Sequence, residues 1–249
     1  MAYLDKRWVG VFNYRFRRRF RHNLDKLAAA VDYILAVRPD AVVCTGDLTS
    51  SGQPGEFSKV YDILKKLVAS GIPFFYLPGN HDCYVRRPKC VKAVHDMVAT
   101  LSGGRDDFAD FPLIRQVGKS ELFLLNTSRP SNLLCSWGFL SKADSEALEK
   151  WCALPHDRVR ILLSHYPLTE SHPILRFRHR LYGQKNALRL LENGDIDLML
   201  CGHVHRPYLK VDSDGRGECC AGSVTRNGSM VEIDCDEENR NFTFKTVTV

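Results

Sequence analysis

Four separate stretches of this sequence share one construction: an apolar run typical of a buried strand is followed at once by Asp, Asn or His. They are residues 41–45 before Gly46-Asp47, residues 74–78 before Gly79-Asn80-His81-Asp82, residues 160–164 before His165, and residues 198–201 before Gly202-His203-Val204-His205. Because ligands in α/β proteins bind at the carboxyl ends of strands, we expect the four loops to converge on one polar site. Carboxylate, amide and imidazole donors together suit divalent ions such as Mn²⁺, Fe²⁺ and Zn²⁺.

The spacing of apolar residues predicts an α/β fold. Helical periodicity occurs at residues 24–37, 57–69, 89–101, 142–152 and 184–191. Further strands are predicted at residues 113–117, 121–125, 208–211, 218–220, 229–234 and 242–249. The strands and helices alternate in the first half, which favours a largely parallel sheet there, whereas short strands and turns dominate the end. The simplest architecture is two packed mixed β-sheets flanked by helices.

We predict a basic aromatic N-terminal segment, residues 1–26, and a single domain, residues 27–249. The segment holds eight Lys or Arg against two Asp, so it alone supplies the formal net charge of +6. Aromatic residues interleave with its arginines, which suits either contact with an anionic membrane or a solvated helix packed on the domain. Nucleic acid is a weaker alternative, because no second basic stripe occurs.

The nine cysteines indicate a reducing compartment. Their number is odd, no C-x-x-C spacing occurs, and most lie in apolar runs. These features favour free thiols in a cytosolic protein. No apolar run reaches the roughly 18–20 residues of a membrane span. We therefore expect a cytoplasmic protein, with residues 1–26 as a potential contact to the inner face of the membrane.

Each strand-end loop offers a side chain that would bind a metal. Asp47 would bridge two cations from a strand tip, although a lone Asp here would be an ordinary turn residue. Asn80 offers a neutral amide oxygen, which limits the charge of the site. A lone His165 would more often be a structural residue, but the other candidate ligands favour a metal-binding role for it. His203 and His205 are spaced to reach two neighbouring metals.

His81 and Asp82 are the predicted catalytic pair. His81 follows Asn80 and should point towards a substrate, where its protonated ring would donate to a leaving oxygen. Asp82 would hold that ring in one tautomer and raise its basicity. Two metals about 3.5–4 Å apart suit displacement at phosphorus, because they clamp phosphoryl oxygens and generate a hydroxide near neutral pH.

These motifs, in this order, resemble the calcineurin-like metallophosphoesterases. The resemblance spans residues 41–205 and implies a double sheet flanked by helices around a dinuclear metal centre. It also implies that Asp47 bridges the metals, that Asn80, His165 and His203 complete one site, that His205 serves the other, and that His81 is the catalytic histidine. The expected cofactor is a pair of divalent ions, with Mn²⁺ ahead of Fe²⁺ and Zn²⁺.

One motif of that family is missing. Its members open with an Asp-x-His motif at the tip of the first strand, and no such motif precedes Asp47. One metal site would then keep only Asp47 and His205, and the first sheet would lack a strand and expose unpaired edges. The explanations are a late start or truncation, a one-metal variant, and a degenerate scaffold. We favour the first, because the remaining motifs are intact down to His81 and Asp82, which a pure scaffold would not need.

The substrate prediction rests on weaker signals. Arg176, Arg178 and Arg180 form a cationic run that would hold a diphosphate, although a solvated helix start explains them nearly as well. With the basic N-terminus they make the chain similar in outline to UDP-2,3-diacylglucosamine hydrolases, which implies a lipid-linked nucleotide as substrate. The alternatives are a cyclic-nucleotide phosphodiesterase and a non-enzymatic scaffold that binds a protein partner.

Overall fold

The structure, a computed structural model, describes residues 23–130, 136–155, 157–169 and 180–249. Residues 1–22 of the predicted basic segment lie outside this range. The described α-helices are α1 (Leu24–Val37), α2 (Pro54–Ala69), α3 (Pro88–Leu101), α4 (Lys142–Ala153), α5 (Lys185–Glu192) and α6 (Val224–Asn227). A 3₁₀ turn covers Phe108–Asp110.

Six strands form one mixed sheet in the order β3-β4-β6-β8-β10-β9. They are β3 (Leu113–Val117), β4 (Ser120–Leu125), β6 (Val159–Ser164), β8 (Leu198–Cys201), β9 (Tyr208–Val211) and β10 (Gly217–Cys220). The four central strands are parallel, and the outer strands β3 and β9 pair antiparallel to them. The carboxyl ends of β4, β6, β8 and β10 therefore meet at one edge of the sheet.

The second layer consists of two separate strand pairs. Strand β1 (Val42–Cys44) is parallel to β2 (Phe74–Tyr76), and β11 (Ser229–Asp236) is antiparallel to β12 (Asn241–Thr248). No strand in the described ranges joins β1 to β11, and a cavity of about 480 Å³ is lined by both. Within the described ranges β1 pairs only with β2, and the loss of a strand from this sheet stays a prediction, since residues 1–22 lie outside those ranges.

Alternating side chains hold these layers together. In β4, Leu122 and Leu124 pack with Phe75 and Leu77 of the second layer, while Phe123 faces the opposite side of the sheet. On that opposite side lie α4 and α5, whose buried residues join the same apolar cluster as Phe123. Helices α1, α2 and α3 cover the outer face of β1 and β2. The period of two in the strand thus separates two cores, as expected for a sheet buried on both faces.

The predicted α/β architecture of packed mixed sheets flanked by helices is confirmed. The predicted boundaries of α1, β3, β8 and β9 are those of the structure. Helix α2 begins three residues before the predicted start, because Pro54 occupies its first position and Gln53 and Glu56 form a capping box that apolar periodicity does not detect. The two-residue strands β5 (Gly138–Phe139) and β7 (Leu181–Tyr182) were too short for any periodicity to predict.

Among the described residues, no helix combines the length and the apolar character that a bilayer crossing requires.

A buried arginine ties helix α4 to β6, the strand that leads to His165. Arg160 is only 1% exposed, and its guanidinium donates to the carbonyl oxygens of Trp151, Cys152 and Leu154 at 2.8, 2.6 and 2.6 Å. These carbonyls lie at the C-terminal end of α4, where backbone donors are lacking. Among the three, only that of Trp151 also accepts a backbone N–H, from Leu154 at 3.4 Å. Arg160 therefore satisfies the end of the helix from inside the core.

We predict that Arg160→Met lowers the free energy of unfolding by about 3 kcal/mol or more, because three carbonyls lose a charged donor. The matched variant is Arg158→Met. Arg158 directly precedes β6, its side chain is 39% exposed, and it pairs with Glu121 at 2.8 Å. That variant should cost less than about 1 kcal/mol. Urea denaturation of both variants measures the difference, and equal losses would contradict the proposed role of Arg160.

Candidate functional site

The loops after β1 and β2 touch each other through two glycines. Gly46 has a φ of 102°, and a Cβ on it would contact the backbone nitrogen of Gly79. A Cβ on Gly79 would in turn contact the side chain and backbone nitrogen of Asp47. Only residues without a side chain permit this approach, and it brings Asp47 against the Asn80-His81 turn.

Asp47 has one carboxylate oxygen engaged and one free. Its Oδ1 accepts the backbone N–H of His81 at 2.9 Å. Its Oδ2 is buried, accepts no hydrogen bond from any described residue, and lies 3.5 Å from Nε2 of His165. Burial alone would raise the pKa of this carboxyl, but the charges of His165, His81 and His205 outweigh it and hold the pKa below its ordinary value.

Three further donor atoms converge beside Asp47. Nδ1 of His165 lies 2.7 Å from the carbonyl oxygen of Thr45 and must donate to it, because a carbonyl can only accept. The lone pair of a neutral His165 ring is then on Nε2, which lies 3.1 Å from Oδ1 of Asn80 and 3.1 Å from Nδ1 of His203. Nδ1 of His203 is 2.9 Å from the same amide oxygen.

This arrangement fits a divalent cation. Ligand atoms of Asp47, His165 and His203 all lie within 4.8 Å of one another, and Asn80 lies among them. Ligands held about 2.1 Å from an ion are themselves about 3.0–3.4 Å apart. The distances of 3.1 Å from Nε2 of His165 to Asn80 and to His203 lie in this range, and Oδ2 of Asp47 is close to it at 3.5 Å from the same nitrogen. Buried oxygen and nitrogen lone pairs that face one another without a shared proton are costly, and a cation would remove that cost. The donor set of carboxylate, amide and imidazole suits Mn²⁺, Fe²⁺ or Zn²⁺.

The backbone around these residues is in an unusual conformation. Asp47, His203 and His205 have φ values of 63°, 66° and 56°, in the left-handed region that non-glycine residues rarely adopt. Each such residue costs about 1 kcal/mol or more, and such strain tends to occur at functional sites. The three residues lie in the loops after β1 and β8.

His205 lies apart from this group. It lines the cavity of about 480 Å³ together with Asp47, His81 and His203, but its ring is not among the ligand atoms that cluster within 4.8 Å. In the described part of the chain, Asp47 and His205 remain the only predicted ligands of a second metal. The roles of all five ligand residues stay predictions.

His81 lies at the surface of the site, half-buried. Its Nδ1 is 3.1 Å from the carbonyl oxygen of Ser50, and its ring stacks on Tyr84 with 5.7 Å between centroids. The Ser50 loop is held in turn by Glu56, whose carboxylate accepts the backbone N–H of Ser50 and of Ser51 at 3.3 and 3.1 Å. The start of α2 thereby positions the imidazole.

The predicted role of Asp82 as the partner of the His81 ring is wrong. Asp82 is 1% exposed, and both of its carboxylate oxygens are directed to the loops after β1 and β2. They accept six hydrogen bonds, from the backbone N–H groups of Asp47, Leu48, Thr49 and Gly79 and from the hydroxyls of Thr49 and Tyr76. Burial and the charge of Asp47 raise the pKa of Asp82 to about 6, against these hydrogen bonds, which lower it.

The predicted diphosphate-binding arginines are largely untested. Arg176 and Arg178 lie outside the described residues. Arg180 is exposed, and its guanidinium lies over the ring of Tyr182, 5.0 Å from the centroid.

A buried glutamate that the sequence did not single out joins two loops of the site. Glu218, on β10, is 0% exposed. Its carboxylate accepts the backbone N–H groups of Leu168 and Thr169 at 2.6 and 3.1 Å, and the hydroxyls of Thr169 and Tyr208 at 2.6 Å each. Leu168 follows the His165 loop, and Tyr208 follows the His203 loop. No local sequence signal marks Glu218, because its neighbours are distant in the chain.

We predict that Glu218→Gln lowers the affinity for Mn²⁺ by about 10–100-fold, the range observed when groups that support metal ligands are changed. One amide oxygen cannot replace a carboxylate that accepts four donors. Isothermal titration with Mn²⁺ measures the loss. Glu121→Gln is the control, since Glu121 bonds Trp151 and Arg158 near the start of β4. A folded Glu218→Gln protein with unchanged affinity would refute the role.

The chain is similar in sequence to known phosphoesterases. The sequence profile of the calcineurin-like phosphoesterases matches residues 21–207. A 3′,5′-cyclic-nucleotide phosphodiesterase of Nostoc sp. is 27% identical over 190 residues, which are 75% of this chain and 64% of that protein. A probable glycerophosphodiester phosphodiesterase of Arcobacter nitrofigilis is 29% identical over 174 residues, 69% of this chain and 59% of that protein. The chain thus spans less than two thirds of the length of these relatives.

A solved structure has the same fold. The dimetal phosphatase of Danio rerio superposes with a TM-score of 0.63 at 17% identity, covering 84% of this chain and 82% of that one. The profile match extends over most of the chain and includes all four strand-end loops. The chain therefore belongs to the calcineurin-like phosphoesterase family.

Proposed function

We propose that this chain is a metal-dependent phosphodiesterase. The observation that carries the proposal is the convergence of ligand atoms of Asp47, His165 and His203 within 4.8 Å of one another, with the amide oxygen of Asn80 at 3.1 and 2.9 Å from the two rings. The buried Oδ2 of Asp47 has no hydrogen-bond donor among the described residues. Asp47, Asn80, His165 and His203 would hold one metal, and Asp47 and His205 would contribute to a second. We propose Mn²⁺ as the native ion, with Fe²⁺ and Zn²⁺ as alternatives.

The chain's own residues divide the work of hydrolysis. When bound, divalent ions of such a centre polarise phosphoryl oxygens and supply a strong nucleophile near neutral pH. Asp47 stays ionised because its pKa is low, so it can hold a cation at neutral pH. His81 donates Nδ1–H to Ser50, which leaves Nε2 to carry or deliver a proton at the leaving oxygen.

A phosphodiester is the substrate class that we propose. Both relatives described above bear the name of a phosphodiesterase, one for cyclic nucleotides and one for glycerophosphodiesters. The lipid-linked nucleotide predicted from the sequence depends on residues 1–22, Arg176 and Arg178, outside the described ranges, and on Arg180, which is engaged with Tyr182. UDP-2,3-diacylglucosamine is therefore one of the compounds tested as substrate.

The experiment compares bis(4-nitrophenyl) phosphate, 3′,5′-cyclic AMP, glycerophosphoethanolamine and UDP-2,3-diacylglucosamine at matched concentrations, with Mn²⁺ and with EDTA. We expect turnover of at least one diester, abolished by EDTA. Stoichiometric Mn²⁺ without turnover of any diester would contradict the proposal. A chain that neither binds metal nor hydrolyses any of the four would support the scaffold alternative.

We predict that Asp47→Asn abolishes both Mn²⁺ binding and hydrolysis, because the amide removes the charge that holds the cation. Asp62→Asn is the matched control: Asp62 lies on the exposed face of α2, where it pairs with Lys65 at 3.3 Å. Metal content per chain and rates with bis(4-nitrophenyl) phosphate are measured for both. Retained activity in Asp47→Asn would exclude the bridging role.

We predict that His81→Ala, unlike Asp47→Asn, retains metal. Its kcat should fall about 10²–10⁴-fold, the usual contribution of a general acid. Elemental analysis and steady-state rates are compared on the same preparation. Loss of metal together with activity would mean that His81 is a ligand and not the proton donor.

A further inference from the structure

A second cavity, of about 450 Å³, lies next to the turn that follows Asn80, one residue of the metal-ligand cluster (Asp47, Asn80, His165 and His203). One wall is the Asp82-Cys83 turn, which directly follows Asn80 and His81. Another is the loop after β4, where Thr127 shares a hydrogen bond of 3.0 Å with Ser164, the residue before His165. Because β2, β4 and β6 each lead into one of these walls or loops, the cavity and the cluster adjoin each other at the same edge of the fold.

Most of the cavity wall is apolar and partly aromatic. Val91 and Val94 of α3 line one side, and Phe108 and Phe111 line another. The ring of Phe108 stacks on His95 with 4.2 Å between centroids and 24° between planes. Volumes of about 300–1,000 Å³ are typical of small-molecule sites. Together with Ser128 and Arg129, these four residues define what we name the Ser128 pocket.

Two of the polar residues that line the pocket bear on ligand binding, Ser128 and Arg129; the others are Asp82, His95, Asn126 and Asp144. Ser128 is 1% exposed, and its hydroxyl is buried without a hydrogen-bond partner in the described ranges. An unpaired hydroxyl costs about 1–3 kcal/mol, which a ligand with an acceptor atom would recover. Arg129 is exposed at the rim, where its Nη1 donates to the carbonyl oxygens of Asn126 and Ser128 at 3.3 and 2.8 Å. The guanidinium is thus held in place beside the opening.

We propose that the Ser128 pocket binds a planar aromatic group of the phosphoester substrate, a nucleobase or an aryl ring. The ring packs against Val91, Val94 and Phe108, and the hydroxyl of Ser128 donates to an acceptor atom of the ring. This proposal rests on the proposed function, which places the phosphoryl group at the metal-ligand cluster. Asp82 and Cys83, in the wall of the pocket, directly follow Asn80 and His81 in the chain, so one substrate would extend past this turn to occupy both places.

The test measures binding and not turnover. AMP, phenyl phosphate and glycerol 3-phosphate are titrated calorimetrically into the Mn²⁺-loaded protein. The three ligands share a phosphoryl group, and only the first two carry a ring. We expect the ring-bearing ligands to bind at least about tenfold more tightly than glycerol 3-phosphate, because their rings leave water. A higher affinity for AMP assigns a base, and a higher affinity for phenyl phosphate assigns an aryl group.

Two variants separate the pocket from the metal centre. Val91→Trp fills the pocket from an exposed helix position and should remove the advantage of both rings, while glycerol 3-phosphate binds as before. Ser128→Ala should weaken only AMP, about three- to tenfold, since a phenyl ring has no acceptor. It should not lower the melting temperature, because the hydroxyl has no partner to lose. Ile114→Trp, at an exposed position of β3, is the control and should change nothing.

The outcomes distinguish this proposal from the proposed function. Equal affinities for all three ligands, or ring advantages that survive Val91→Trp, would overturn the pocket proposal whatever the enzyme hydrolyses. Ring-dependent binding without hydrolysis of any diester would support the pocket and contradict the phosphodiesterase assignment. Adenosine titrated into the metal-free protein tests the pocket without a phosphoryl group: binding that Val91→Trp abolishes supports it, and no binding up to the solubility limit contradicts it.

Discussion

The six hydrogen bonds to the buried carboxylate of Asp82 are the constraint on which the site depends. They draw the loops after β1 and β2 together and allow Gly46 and Gly79 to approach within contact. Asp47 and Asn80 are presented towards the same point as a result. Burial beside a second carboxylate, that of Asp47, is costly, and it raises the pKa of Asp82 to about 6 although the hydrogen bonds lower it.

The six-stranded sheet also supports the site. Its parallel strands β6 and β8 lie side by side. His165 directly follows β6 and His203 lies just after β8, so the two imidazoles are neighbours. Glu218 then fixes the loops that follow them, and Thr45 fixes the ring of His165 through its carbonyl oxygen. Each imidazole is therefore oriented by groups from a different part of the chain. Buried polar contacts preorganise the metal-ligand cluster. The binding of a cation therefore costs little further conformational entropy.

The Ser128 pocket adds a reason for the otherwise unexplained hydroxyl of Ser128. Buried polar atoms normally have a partner, and the described residues contain few exceptions. Oδ2 of Asp47 and the hydroxyl of Ser128 are two of them, and they lie at the metal-ligand cluster and in the adjoining pocket. A phosphoester with a phosphoryl group and an aromatic ring would supply partners to both sites through the bound metal and the ring acceptor.

The sequence by itself determined the order and type of most elements and the residue types at the four strand ends. Apolar periodicity reports which face of a strand or helix is buried, and the recurrence of Asp, Asn or His after four separate buried strands indicates a shared polar site. Helix α1 and strands β3, β8 and β9 were predicted to their last residue on that basis.

Only the tertiary structure decided how the polar side chains are paired. Adjacency in sequence favoured Asp82 as the partner of His81, yet the carboxylate turns to the loops of β1 and β2, and the carbonyl of Ser50 contacts the ring. Glu218 and Ser128 were not predicted, because their roles come from residues up to 50 positions away or from the lack of any partner. Periodicity is a local property of the chain, whereas a buried hydrogen bond depends on which distant loops the packed sheets bring together.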